Sequence, residues 1–261
     1  MALSSAQVGR LLYDEHAAGT RFHTLGPEAA LVDLPAAYAA QRELVALLHP
    51  ELGKTAGYKI GLTSARMQKF CNIDQPIAGV VLANRMAASG VALDGKDYGR
   101  VGLEFEVGVR LGRDLPPSGA PYDSESIAKA VDAVCAAVEV VDDRHADYKS
   151  LDVRSLVADN SWNAGAILGD FKKNWPDLAA ASGTIMLDGA EVDRGHGRDV
   201  LGHPFIPLAW LANHLAAGGQ GLRAGEVVLT GSLVTTRFPQ KSESYRYELA
   251  GVGSVALTVT I

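Results

Sequence analysis

The 261-residue sequence predicts an α+β protein, rich in β-structure, with a helical layer at its N-terminus. Three observations carry this. Apolar residues recur at helical spacing as far as Leu48. From Gly57 onward the period drops to two, most cleanly in Val101–Leu111 (VGLEFEVGVRL). The 28 glycines are spread between short β-branched runs, the pattern of a sheet-rich body with tight turns.

The elements follow in order. In Ser4–Ala18, Val8, Leu11 and Leu12 form an apolar stripe, with Ser4 or Ser5 as N-cap. In Leu34–Leu48, Ala37, Tyr38, Leu44, Val45 and Leu48 outline a second stripe, which Pro50 is expected to end. These two helices read as a packing layer or an oligomer contact. Tyr58–Leu62 reads as a strand, a short helix starts near Ser64, and Ala78–Leu82 is the next strand. Ser124–Ala137 reads as a helix capped by Ser124 that runs into the apolar strand Ala136–Val141. Further strands are expected at Ala164–Leu168, Thr184–Leu187, Val227–Thr230, Tyr245–Leu249 and Val255–Ile261, and a helix at Phe205–Ala217 ending in Gly218-Gly219. The long connection Asp143–Asn160 suits an active-site loop or lid. No repeat or linker divides the chain, so one domain is expected over residues 1–261, with residues 1–55 as the helical layer.

Composition removes several classes of function. With 24 Lys+Arg against 30 Asp+Glu, the formal charge of −6 argues against a nucleic-acid binder, which needs a basic surface. Hydrophobic residues at 48% and charged residues at 21% suit a chain with a full core. Two cysteines, Cys71 and Cys135, make neither a disulfide framework nor a four-cysteine zinc site. No apolar run reaches the roughly 18–20 residues of a membrane span. The N-terminal stretch is amphipathic rather than basic-then-apolar, so no secretory signal is expected, and the cytoplasm is the expected location.

Three carboxylates stand in unusual places. Glu104 and Glu106 are two apart on one strand and share a face, with Cα atoms about 6.5–7 Å apart. Glu139 interrupts the apolar run Ala136–Val141, where a buried unpaired carboxylate is costly. Without a cysteine cluster or paired histidines, such a set suits a hard divalent ion, Mg²⁺ or Mn²⁺. Alternatively, Glu104 and Glu106 line the solvated face of an edge strand and Glu139 pairs with an Arg or Lys. Lys59 lies in a strand between Gly57 and Gly61, which permit close backbone approach. Drawn into an apolar site, it would have a lowered pKa and could move protons or grip a carboxylate; otherwise it snorkels at the surface. Asp159-Asn160-Ser161 ends a charged loop before a strand and can also be read as a capped turn.

At these residues the chain resembles a known family. Gly57-Tyr58-Lys59-Ile60-Gly61-Leu62-Thr63-Ser64 is similar to the G-x-K-x-G-L-T signature of the 2-oxopent-4-enoate (2-keto-4-pentenoate) hydratases and 4-oxalocrotonate decarboxylases, within the fumarylacetoacetate hydrolase superfamily. The resemblance continues in order through Tyr38–Arg42, Leu103–Glu106, Val138–Asp142, Ala158–Asn160, Leu201–Pro204, Trp210–Ala212 and Leu222–Gly231, nearly the whole chain. It implies a mixed β-roll over residues 56–261 with helices outside. It also implies Glu104, Glu106 and Glu139 as ligands of Mg²⁺ or Mn²⁺, and Lys59 as the catalytic residue beside the metal. Gly61, Leu62, Asp159, Asn160 and Ser161 would shape the substrate pocket.

One departure stands out. Family members usually carry an acid at the position of Ile77, thought to work with the lysine in proton transfer; here Asp74 is the nearest acid. The implied activity is hydration of a 2-hydroxy-2,4-dienoate (a 2-oxo-4-enoate) to a 4-hydroxy-2-oxo acid in aromatic-compound catabolism. Ile77 makes decarboxylation of a 2-oxo-enedioate the second expectation. A non-catalytic subunit that binds a related hydratase or decarboxylase is the third. A homo-oligomer is expected, with a complex with a related hydratase or decarboxylase as a further expectation.

Overall fold

The computed structural model describes residues 2–261. Helix α1 (Ser5–Ala17) begins at Ser4, whose hydroxyl accepts from the Gln7 amide while the Gln7 side chain returns a bond to the Ser4 amide. Helix α2 (Leu34–Leu52) is capped by Asp33. Pro50 does not end it, contrary to the sequence expectation. Pro50 falls in the last turn, where its missing N–H removes one main-chain bond, and the stop is Gly53 at φ 80°. The two helices cross closely at Gly9, where a Cβ would lie 2.5 Å from the Glu43 Cβ. Val8 and Leu12 thereby reach Ala37, Ala40 and Leu44 in the buried core.

Strand β1 (Thr55–Gly61), helix α3 (Ala65–Phe70), strands β2 (Ile77–Leu82), β3 (Met86–Ala88), β4 (Val91–Asp94) and β5 (Val101–Leu111) follow. Then come α4 (Ser124–Ala128), β6 (Val131–Asp142), α5 (Val153–Ala158), β7 (Asn163–Leu168), β8 (Ser182–Leu187) and β9 (Ala190–His196). Helix α6 (Phe205–Ala217) and strands β10 (Val227–Ser232), β11 (Glu243–Leu249) and β12 (Gly253–Thr260) complete the chain. Seven strands form one sheet in the order β2-β1-β10-β5-β6-β7-β3, and five form a second in the order β4-β12-β11-β8-β9. Most neighbours are antiparallel; β1–β10, β3–β7 and β4–β12 are parallel. One hydrophobic cluster takes residues from α1, α2, α6 and both sheets.

The expected helix Ser124–Ala137 is corrected. It stops at Ala128, with Asp123 rather than Ser124 as its cap, and the alanine-rich stretch belongs to β6. Ala133, Ala136 and Ala137 are fully buried because β6 is covered on both faces, and small side chains fit there. Period alone does not separate a doubly buried strand from a buried helix. Strands β3, β4 and β9 and helix α5 are additions to the sequence reading. Among the described residues no helix is long and apolar enough to cross a membrane.

The N-terminal layer grips the edge of the seven-stranded sheet. Strand β2 pairs with β1 on one side. On the other side the Ala78 amide donates to the Tyr38 hydroxyl (2.9 Å), and the buried Gln41 amide donates to the carbonyls of Ala78 (2.9 Å) and Val157 (2.8 Å). An edge strand that would otherwise present free main-chain groups is closed by side chains of α2. Gln41→Leu should therefore lower stability by about 1–3 kcal/mol, the cost of stranding a buried carbonyl. The midpoint of urea unfolding reads it, and an unchanged midpoint would mean that water replaces the amide.

Candidate functional site

The three glutamates meet on the seven-stranded sheet. Glu104 and Glu106 project from one face of β5, and the antiparallel register sets Glu104 directly opposite Glu139 of β6. One carboxylate oxygen from each lies within 4.8 Å of the others. Glu106 and Glu139 are fully buried and Glu104 is partly exposed. Like charges placed opposite each other on neighbouring strands destabilise the pair. Surrounding groups offset part of that. Lys59 Nζ lies 3.0 Å from Glu139 Oε1, and the Asn163 amide donates to the same oxygen at 3.0 Å. The Gly231 N–H donates to Glu106 Oε2 at 2.6 Å, and the Thr236 hydroxyl to Glu104 Oε1 at 2.5 Å.

Two irregularities in the sheet aim these donors. Between Leu229 and Ser232, β10 advances three residues while β5 advances two, so Thr230-Gly231 bulges and the Gly231 amide turns to Glu106. Between Gly165 and Asn163, β7 advances two residues while β6 advances one, and the bulge at Ala164 brings Asn163 onto Glu139.

Four like or unlike charges so close govern one another's protonation. Burial raises the Glu139 carboxyl to about 7; Lys59 opposes the rise and Glu104 adds to it. Burial, then Glu139 and Glu104, push Glu106 well above the ordinary carboxylate range. The sequence suggests a lysine of lowered pKa, and the structure corrects this. Burial does favour loss of the proton, but Glu139, Glu104 and Glu106 outweigh it, and the Lys59 pKa is raised. Nor does Lys59 snorkel, since it is 4% exposed. Its stem crosses Gly79 of β2, where a Cβ would lie 3.2 Å from the Lys59 Cγ and Cε.

Buried Glu106 Oε1 and Glu139 Oε2 have no hydrogen-bond partner. Orphaned anionic oxygens converging with a third carboxylate are a donor set that fits a hard, oxygen-seeking divalent cation.

A cavity of about 570 Å³ opens beside this cluster, with Lys59, Gly61, Leu62, Glu104, Ser161 and Thr236 on its wall. Ile77 is also on the wall and is buried, whereas Asp74 is exposed and off the wall. Asp199 is the second acid there, after Glu104. Asp159 and Asn160 do not reach the wall. Asp159 holds Arg144 Nη2 and His16 Nε2, each at 2.6 Å. Asn160 spans the outer edge of β2, accepting from the Val80 amide (2.7 Å) and donating to the Val80 carbonyl (2.9 Å). Ser161 donates to the Ala78 carbonyl at 3.0 Å. Asn160, Ser161 and Trp162 all have positive φ, so these side-chain bonds hold a turn that non-glycine residues rarely adopt.

Gly231, Asn163 and Thr236 are site residues that the sequence does not announce. Each acts through a bulge or a loop, and of the three only Gly231 falls in a stretch of the family resemblance, Leu222–Gly231.

Without divalent cations the buried negative charge should destabilise the fold. A carboxyl whose folded pKa is raised binds its proton more tightly folded than unfolded. Its ionisation therefore costs stability as pH rises from its ordinary value through the folded one. Glu106→Gln should melt above wild type in EDTA at pH 8, and the gap should shrink toward pH 5. With millimolar Mg²⁺ the order should reverse. Thermal denaturation measures all three, and equal melting points throughout would remove the electrostatic account.

Comparison with known proteins gives a consistent result. The chain is 33% identical to a 2-keto-4-pentenoate hydratase of Burkholderia vietnamiensis over 98% of each chain. It is 32% identical to a 2-oxo-hept-4-ene-1,7-dioate hydratase of Escherichia coli, covering 88% of this chain and 87% of that one. The structure of 4-oxalocrotonate decarboxylase from Pseudomonas putida G7, complexed with magnesium and adipate, superposes with a TM-score of 0.88 at 25% identity, covering 98% of this chain and 97% of that one. Residues 60–260 match the model of the fumarylacetoacetate (FAA) hydrolase C-terminal family. With that span and those full-length relatives, the chain belongs to the fumarylacetoacetate hydrolase family.

Proposed function

We propose that this protein is a divalent-metal-dependent hydratase that adds water to a 2-hydroxy-2,4-dienoate, or its 2-oxo-4-enoate form, giving a 4-hydroxy-2-oxo acid. The observation that carries the reading is the set of three converging carboxylates with orphaned oxygens at the wall of a pocket. Glu104, Glu106 and Glu139 would hold Mg²⁺ or Mn²⁺. When bound, such an ion supplies Lewis acidity toward the 2-oxygen and carboxylate of a 2-oxo acid. Asn163 and the Gly231 amide hold Glu139 and Glu106 in place from behind.

Lys59 is the proposed catalytic residue. Lys59 is on the wall of the pocket, kept protonated by three carboxylates, and its Nζ would give a proton to substrate carbon or grip the substrate carboxylate. Gly61, Leu62 and Ser161 would line the bound acid, while Asp159 and Asn160 would serve it indirectly by holding the turn that presents Ser161. The 2-hydroxydienoate would ketonise first, leaving a double bond to which water adds. Ile77 favours a second reading, decarboxylation of a 2-oxo-enedioate. Loss of CO₂ needs no base to activate water, and this wall is apolar where an acid would stand.

A homo-oligomer, or a complex with a related hydratase or decarboxylase, belongs to the same proposal; exposed Leu11, Val32, Ile206 and Ile261 provide apolar surface for it. A cytoplasmic location fits the free thiols of Cys71 and Cys135.

Turnover of 2-hydroxypenta-2,4-dienoate with Mg²⁺, followed as loss of dienol absorbance with CO₂ measured alongside on an enedioate, tests the assignment. Hydrated product without CO₂ is expected, and EDTA should abolish it. CO₂ release establishes the second reading, and inactivity on both with tight binding to a related enzyme leaves a partner subunit. Lys59→Ala should lower kcat about 10²–10⁴-fold, the usual contribution of a general acid–base group, and with Mg²⁺ present should lower turnover far more than it lowers stability. Near-full activity would remove Lys59 from the chemistry.

A further inference from the structure

Relatives acting on a simple pentenoate and on a dicarboxylic acid are equally similar in sequence, so identity does not select between their substrate types. The pocket does. We infer that it binds 2-oxo acids whose far end is bulky and uncharged, aryl or branched alkyl, in preference to those ending in a second carboxylate. This rests on the 2-oxo-acid reading of the site.

Lys59, Glu104, Ser161 and Thr236 supply polar groups to the wall, with Thr63, Ser64, Arg66, Asp199, Ser232 and Thr235. Much of the remaining wall is made by Tyr148, Leu151, Leu156, Trp162, Val234 and Phe238. A space of about 570 Å³ falls within the range that encloses drug-sized ligands, well beyond the needs of a five-carbon acid. The aromatic walls are fixed in place. Trp162 packs edge-on against Phe22 and Tyr148, with ring centres 5.0 and 5.7 Å away, so its ring is held in place before a ligand arrives.

Two basic residues are on the wall: Lys59, paired with Glu139 at 3.0 Å beside the three carboxylates and so placed for the reacting end of a substrate, and Arg66, which has no acid partner but stands exposed on α3, where water screens it. Of the arginines of the adjoining segments, Arg100 is paired with Asp143 and lies over the Phe238 ring at 4.6 Å; Arg144 is paired with Asp159 through Nη2, its Nε and Nη1 have no partner, and it does not line the cavity. The Tyr148 hydroxyl is spent on Asp143 at 3.0 Å. Among these apolar groups a carboxylate could accept from the unpartnered Trp162 Nε1–H but would meet no buried counter-ion, so most of its hydration would be lost uncompensated.

Calorimetric titration of the full chain with Mg²⁺ tests this on unreactive probes: pyruvate, 2-oxohexanoate, 2-oxoadipate and 4-phenyl-2-oxobutanoate. 2-Oxohexanoate and 2-oxoadipate share a six-carbon backbone and differ at the far end. We expect 2-oxohexanoate to bind at least about tenfold tighter than 2-oxoadipate, and the phenyl acid tighter than pyruvate. Leu151→Arg should raise 2-oxoadipate affinity relative to 2-oxohexanoate, and Arg66→Ala should leave the wild-type order unchanged. Equal or tighter binding of 2-oxoadipate overturns the inference, as does its selective loss in Arg66→Ala, which would make that arginine a carboxylate receptor. Failure of every acid to bind, pyruvate included, overturns instead the reading of the site on which the inference rests.

Discussion

Three carboxylates and one ammonium are held together in the interior of a sheet, and much of the surrounding architecture serves to keep them there. Their mutual repulsion and lost hydration would drive the strands apart or protonate the acids. What holds them is main-chain pairing that does not depend on charge. Strands β5 and β6 stay in register over ten consecutive pairs, Val101–Asp142 to Arg110–Ala133, which include Glu104–Glu139, and most of their side chains are buried in apolar clusters. Two bulges then turn an amide of β10 and a side chain of β7 toward the acids. Regular pairing fixes where the carboxylates stand, and its local breaks fix which way they point.

A second level of support comes from the N-terminal helices. Tyr38 and Gln41 hold the Ala78 main chain, and Asn160 and Ser161 hold Val80 and Ala78 from the loop after α5. Those bonds seat Gly79, over which the Lys59 stem runs, and Ile77, which faces the pocket. His16 of α1 reaches Asp159 at the base of the same turn. The helical layer is therefore joined to the pocket wall through hydrogen bonds as well as apolar packing.

The sequence made the acids legible because charge inside an apolar run is conspicuous. Glu139 stood out among valines and alanines, and period two placed Glu104 and Glu106 on one face. The Tyr38–Arg42 segment was recognisable by resemblance, but its purpose, satisfying an edge strand, emerges only when β2 is seen beside it. The alanine-rich half of β6 read as helix because its burial on both faces erases the alternation that marks an ordinary strand. Bulge positions were illegible for a related reason. A bulge is a mismatch between two strands distant in sequence, and neither strand records it alone. The raised pKa of Lys59 needed three dimensions as well, since it depends on how many carboxylates converge.

Strand β2 reads Ile77-Ala78-Gly79-Val80-Val81-Leu82: six residues with neither charge nor proline. Segments of that composition, with main-chain groups free along one side, add to copies of themselves and seed fibrils. Here the free side is occupied by Tyr38, Gln41, Asn160 and Ser161, so the covering side chains act as a guard against cross-chain pairing. Partial unfolding that lifts α2 or the 159–162 turn would uncover this template before the rest of the sheet opens. The solubility of the protein under mild stress is thus tied to the integrity of the layer that also seats its pocket.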